Sequence, residues 1–123
     1  MNAMRNALLA LSLGLALPAQ AVPSTPNGAI SVAQVVDLIQ RSPKDNAARN
    51  AATAYLAGVG ETAGLLVTEA QRRGLPGVTC ARPLGISSTA ALAALSRAEK
   101  GRWGKTAATP ILVDDMLSRA GCR

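Results

Sequence analysis

The chain of 123 residues contains no histidine. That removes the commonest general base, so neither a Ser-His nor a Cys-His nucleophilic pair can form, and it removes the commonest nitrogen ligand for a metal. Cysteine is scarce as well: Cys80 and Cys122 are the only two. Beyond the first residues no apolar run reaches the roughly 20 residues of a membrane-spanning helix, because Arg49, Glu61 and Glu69 interrupt the longest helical stretch. No segment shows the period-two alternation of a half-buried strand, and no internal repeat is visible. These absences leave an all-α protein with no catalytic set, no cofactor and no metal site in its sequence.

The first residues have the anatomy of a secretory leader. Arg5 supplies the positive start, residues 7–17 the apolar core, and Ala19-Gln20-Ala21 a small-x-small cleavage site. The expected organisation is a leader at 1–21 cleaved after Ala21, a flexible lead-in at 22–30 containing Pro23, Pro26 and Asn27, and a helical domain at 31–123. A leader of bacterial type implies the periplasm, where thiols are oxidised and two cysteines form one disulfide. A Cys80–Cys122 bridge closes a loop of about 40 residues, worth roughly 4 kcal/mol in the chain-entropy treatment. A mature chain of about 100 residues builds only a modest core, so such a staple matters. With no lipobox cysteine, the mature form is expected to be free of the membrane. Removing the leader takes Arg5 with it and leaves 12 Lys and Arg against 7 Asp and Glu, a formal charge of +5. Export makes nucleic acid an improbable partner and leaves anionic envelope polymers or an acidic protein.

The hydrophobic periodicity predicts four helices around one long central helix, in a compact array. Ser31 caps a short first helix with a Val32, Val35, Val36 and Ile39 stripe, ending near Arg41. The long helix is expected over residues 42–74, with Ser42 as cap, Pro43 at its first position and Asp45 in the capping-box place. Its buried face is predicted as Ala48, Ala52, Tyr55, Val59, Leu66 and Ala70. Many of its central residues are Ala or Gly, and Gly58, Gly60 and Gly64 together cost about 3 kcal/mol of helix propensity, which close crossing by neighbouring helices must offset. Gly74 and Pro76 end it. A loop around Cys80 follows. A third helix begins at Ser87 or Ser88, with Ala91, Leu92, Leu95 and Ala98 inward, and ends before Gly101. The last starts near Thr106 or Thr109, buries Ile111, Leu112, Met116 and Leu117, leaves Asp114, Asp115 and Arg119 mostly outside, and ends at Gly121.

Few residues invite a chemical role. Asp114 and Asp115 are adjacent, so on a helix they point about 100° apart and do not share a reaction centre. Glu61 is a lone carboxylate, and Gly58-Val59-Gly60 lies within a helix rather than in a strand-to-helix phosphate loop. The chain therefore reads as a non-enzyme. The most basic stretch holds Arg97, Lys100, Arg102 and Lys105 around Trp103, with only Glu99 opposing. Trp and Arg are favoured anchors of protein interfaces, which makes these five the candidate partner contacts; the alternative is that Trp103 covers the core while the cations stay in water.

The order of features resembles the Rap1a/Tai immunity family. The resemblance rests on Tyr55-Leu56-Ala57-Gly58-Val59-Gly60-Glu61-Thr62 on the long helix, Cys80 followed by Pro83, a helix, and an alanine-leading helix ending at Cys122. The aromatic, glycine and acidic positions of that family's long helix fall on Tyr55, Gly58 and Glu61. Two spacings differ: Cys80 and Pro83 are three apart, and Ala120-Gly121 precede the last cysteine. The resemblance implies a periplasmic protein that binds and occludes a type VI secretion amidase effector, so that peptidoglycan is spared, and a capacity to pair with a second copy. Two alternatives stand beside it: a structural periplasmic protein of the same fold without a toxin partner, and a basic module binding an anionic envelope polymer.

Overall fold

Ser31 organises the start of the first helix. Its hydroxyl accepts from the Gln34 N–H (3.1 Å) while the Gln34 side chain accepts from the Ser31 N–H (2.9 Å), a reciprocal capping box. The computed structural model describes residues 22–123, so the leader expected at 1–21 lies outside the described residues. In chain order the elements are α1 (Val32–Arg41), α2 (Asn46–Arg72), α3 (Ser88–Leu95), a 3-10 turn (Lys100–Arg102) and α4 (Ala108–Arg119). Among the described residues there is no strand, only an isolated bridge between Ser31 and Ala107. Among the described residues the class is all-α, four helices with one disulfide.

The core is small and made of short side chains. Val32, Val35, Val36 and Ile39 of α1 meet Ala52 and Leu56 of α2, Ala91, Ala94 and Leu95 of α3, and Ala108 and Leu112 of α4. Full burial of each Val, Ile or Leu contributes about 1.5–3 kcal/mol. Tyr55, Ile86, Leu92, Trp103 and Ile111 pack around its edge.

The long helix begins later than the sequence suggests. Ser42 is helical and closes α1, its N–H bonding to Leu38 and Ile39 and its hydroxyl donating to the Ile39 carbonyl at 2.7 Å. Residues 42–44 then turn, and Asp45 caps α2 by accepting from the Ala48 N–H at 3.0 Å. Serine and aspartate are comparable caps; Asp45 is favoured because its charge faces the positive helix end and Arg41 clamps it at 2.6 Å. The Ala48 N–H, together with the Arg41 guanidinium, outweighs burial and holds the Asp45 carboxyl below its ordinary range.

The buried face of α2 also differs from the expected one. Ala48, Ala52, Leu56, Gly60 and Ala63 are buried, whereas Leu66 is 67% exposed and Tyr55, Val59 and Ala70 only half-buried. The helix carries two adjacent apolar stripes, and the larger side chains belong to the one left open. Close crossing is likewise confined to Gly60, where an added Cβ would lie 3.5 Å from Gly85 Cα and 3.8 Å from Met116 Sδ; at Gly58 and Gly64 it would meet nothing within 4 Å.

Both helix ends beside the disulfide use a left-handed glycine. After α2, Gly74 (φ +63°) lets its N–H reach Gln71 O and the Leu75 N–H reach Ala70 O; after α4, Gly121 (φ +66°) does the same for Ser118 O and Leu117 O. The second turn aims Cys122 back at Cys80, and the two form the expected disulfide. Thr79 and Arg123 exchange two backbone hydrogen bonds of 3.0 Å beside it, which fixes the loop to the end of α4.

Two further expectations change. The lead-in at 22–30, expected to be flexible, makes a closed turn in which Thr25 is buried and its hydroxyl accepts from the Ala29 N–H, while Ser31 Oγ donates to Pro23 O. α3 stops at Leu95, because Ser96 takes the Leu92 carbonyl with its own hydroxyl. α4 starts at Ala108, between the two expected points; the Ala108 N–H donates to Ile30 O at 2.9 Å, so the lead-in's backbone does what a capping side chain would.

Candidate functional site: an uncharged groove between the second and fourth helices

The open stripe of α2 faces α4 across a groove of about 570 Å³. Tyr55, Gly58, Val59, Thr62, Ala63, Leu66 and Val67 line one side, Thr109, Val113 and Leu117 the other, and Val78 of the disulfide-held loop closes one end. At the opposite end Tyr55 and Thr109 join hydroxyl to hydroxyl at 2.8 Å. Burial pushes the Tyr55 phenol above its ordinary range, with the Thr109 hydrogen bond opposing in part. None of the eleven lining residues is charged. Leu65 of α2 is also exposed, at 69%. Exposed contiguous apolar surface on a small domain marks an interaction site, and a mostly apolar concavity with a few placed hydroxyls is the usual form of a binding site.

Of the residues singled out from sequence, Tyr55 and Gly58 lie in this groove. Glu61 does not: it lines a separate depression with Gly64, Thr68, Gln71 and Arg82, on the far side of Gly60. The three positions of the helix motif therefore do not converge on one centre.

The five candidate contacts also separate. Arg97 donates to Asp115 Oδ1 at 2.7 Å, tying the end of α3 to α4, and Arg119 donates to Asp115 Oδ2 at 2.6 Å. Asp115, expected mostly outside, is only 11% exposed in its side chain. Burial pushes its carboxyl up, but the Arg119 and Arg97 hydrogen bonds and charges outweigh that and leave it below the ordinary range. It is a structural ion pair, held in the wrong state for a general acid at neutral pH. Trp103 is half-buried against the core, and its Nε1–H donates to Ala98 O at 3.0 Å. Lys100, Arg102 and Lys105 remain exposed, with Lys100 Nζ 6.0 Å from the indole centroid. Among the described residues no three Cys, Asp or Glu side chains gather as a metal would need, and no helix is long and apolar enough to cross a membrane.

No family model matches the chain, and neither a curated protein nor a solved structure matches it.

The groove was the part hidden in the sequence. Its signal is the second stripe of α2, where Tyr55, Val59, Thr62 and Leu66 recur at helical spacing beside the Ala48, Ala52, Leu56 and Gly60 stripe. Periodicity reports that a face is apolar; it does not report whether a neighbouring helix covers it.

Proposed function

We propose that this protein is a periplasmic immunity protein that binds a peptidoglycan amidase effector of a type VI secretion system and blocks it by occlusion, with no chemistry of its own. The observation that carries the reading is the uncharged groove lined by Tyr55 and Gly58, the aromatic and glycine positions of the stretch that resembles the Rap1a/Tai immunity family. On a surface where residues 22–123 carry 12 Lys and Arg against 7 Asp and Glu, an uncharged apolar recess suits an uncharged apolar segment of the effector, which would lose the least hydration on entering it. The disulfide suits an oxidising compartment, and it fixes Val78 at the end of the groove.

In this mechanism the groove provides the buried centre of the contact and the net positive charge of the surface speeds encounter. Arg97 and Trp103 act from behind, by holding the 97–105 segment in place. The test is capture of the amidase by the oxidised protein from Val22 onward, coupled to a peptidoglycan hydrolysis assay. Stoichiometric capture with loss of hydrolysis supports the reading; an amidase that stays free and active refutes it.

A further inference from the structure

The ion pairs of the described residues leave several exposed cations unpaired, Lys44, Arg49, Arg82 and Arg123 among them, and the densest run of such cations lies at residues 100–105. Among the described residues Asp37 and Asp45 hold Arg41, Glu69 holds Arg72 and Arg73, and Asp115 holds Arg97 and Arg119. Lys100, Arg102 and Lys105 stand within six residues, exposed and in no ion pair, with Glu99 the one carboxylate beside them in the chain.

Their backbone is held firmly. The Arg102 N–H bonds to Glu99 O (2.9 Å), the Lys105 N–H and the Thr106 hydroxyl to Arg102 O (2.8 and 2.9 Å), and the indole anchors to Ala98 O. The same segment is stitched to the start of α1, since the Ala33 N–H donates to Trp103 O and the Val32 N–H to Thr106 O. That stitching sets Ile30, 43% exposed, against the start of α4, three residues past Lys105. Three cations and an exposed aliphatic side chain thus occupy one end of the molecule. Cleavage after Ala21 would add the α-amino group of Val22 at the same end, because Pro23 is bonded to Ser31.

We propose that this end, Lys100, Arg102 and Lys105 with Ile30, is a peripheral docking surface for anionic phospholipid headgroups. An acidic protein patch would be met by the cations alone; the apolar residue beside them suits a partner whose charged surface overlies a hydrocarbon interior. Association of this kind needs no spanning helix. It also places an occluding protein at the membrane boundary of the compartment in which it acts, although it does not depend on the amidase reading. Each basic residue at an anionic surface strengthens partition by about fivefold, corresponding to about 1 kcal/mol.

The experiment is cosedimentation of the oxidised protein from Val22 with phosphatidylcholine vesicles containing or lacking phosphatidylglycerol, at low and physiological salt. Binding is expected only with phosphatidylglycerol and falls steeply with salt. The Lys100→Gln/Arg102→Gln/Lys105→Gln variant is expected to lose about a hundredfold in partition with unchanged far-ultraviolet dichroism, and Ile30→Ser a further severalfold. A Lys44→Gln/Arg49→Gln/Arg123→Gln variant of equal net charge should lose much less. Equal losses in the two triple variants would reduce the effect to net charge and overturn the proposal, as would binding to neutral vesicles. Unchanged vesicle binding by the first variant with weakened amidase capture would assign the patch to an acidic protein instead. Capture is measured separately, so either reading can fail without the other.

Discussion

Tyr55 and Thr109, 54 residues apart in sequence, meet at 2.8 Å through their hydroxyls and tie the middle of α2 to the first turn of α4. The contact defines one end of the groove, and the structure reads it directly through the only tyrosine in the chain. An absorbance titration should find this phenol ionising above the ordinary tyrosine value near 10. Since the folded value is raised, the associated stability is complete below that pH and is lost as pH rises through the folded value. Tyr55→Phe should cost about 0.5–1.5 kcal/mol in a denaturant titration, towards the low end because Thr109 is exposed and water can replace the phenol.

The disulfide stabilises the domain and also shapes the groove. Replacing Cys80 and Cys122 with Ser is expected to lower unfolding free energy by about 4 kcal/mol. Helical dichroism at low temperature should persist, because the α1 capping box and the Val35, Leu56, Leu95 and Leu112 core lie outside the 75–85 loop. Backbone amide exchange should quicken first at Thr79 and Ala81, whose partners are Arg123 and Ala120.

Glycines of α2 give opposite results according to what stands beside them. Gly64→Ala should raise stability by about 0.5–1 kcal/mol, since the new methyl meets nothing and the helix gains propensity. Gly60→Leu should lower it by at least 1–3 kcal/mol, because Gly85 and Met116 already occupy the space. Thermal denaturation of the two variants separates these outcomes.

Acid should loosen the link between α3 and α4 through Asp115. Its carboxyl titrates below the ordinary aspartate value of 3.8, so the stability it contributes is complete above that value and is lost as pH falls through the folded one. Asp115→Asn should cost about 1–2 kcal/mol at neutral pH and should flatten the acid limb of the stability profile.

Much of the architecture is readable from local chemistry, and most of the differences have a tertiary cause. The Ser31 cap, the Gly74 and Gly121 stops and the Cys80–Cys122 pair each depend on a few neighbouring residues, and each stands where the sequence places it. Asp45 over Ser42 as cap rests on a local pair instead, the Arg41 clamp four residues before Asp45. The start of α4 turned on Ile30, 78 residues before Ala108 in sequence, which no local pattern announces. Periodicity predicts Leu66 inward because it looks the same for a covered face and an open one. Trp103 and Arg97 read as contacts by residue type, yet one bonds Ala98 and the other Asp115.

The most direct measurement compares amidase capture by the wild-type protein and by Leu66→Glu. Leu66 is exposed, so the substitution should change stability by no more than about 0.5 kcal/mol, while a charge in the uncharged groove should weaken capture by at least about 30-fold, the cost of losing a hot spot. Tight capture by the wild type, abolished in Leu66→Glu with hydrolysis restored, is the expected result. Equal capture by both would show that the groove is not the docking surface, and an amidase bound by neither and fully active on peptidoglycan would contradict the immunity function itself.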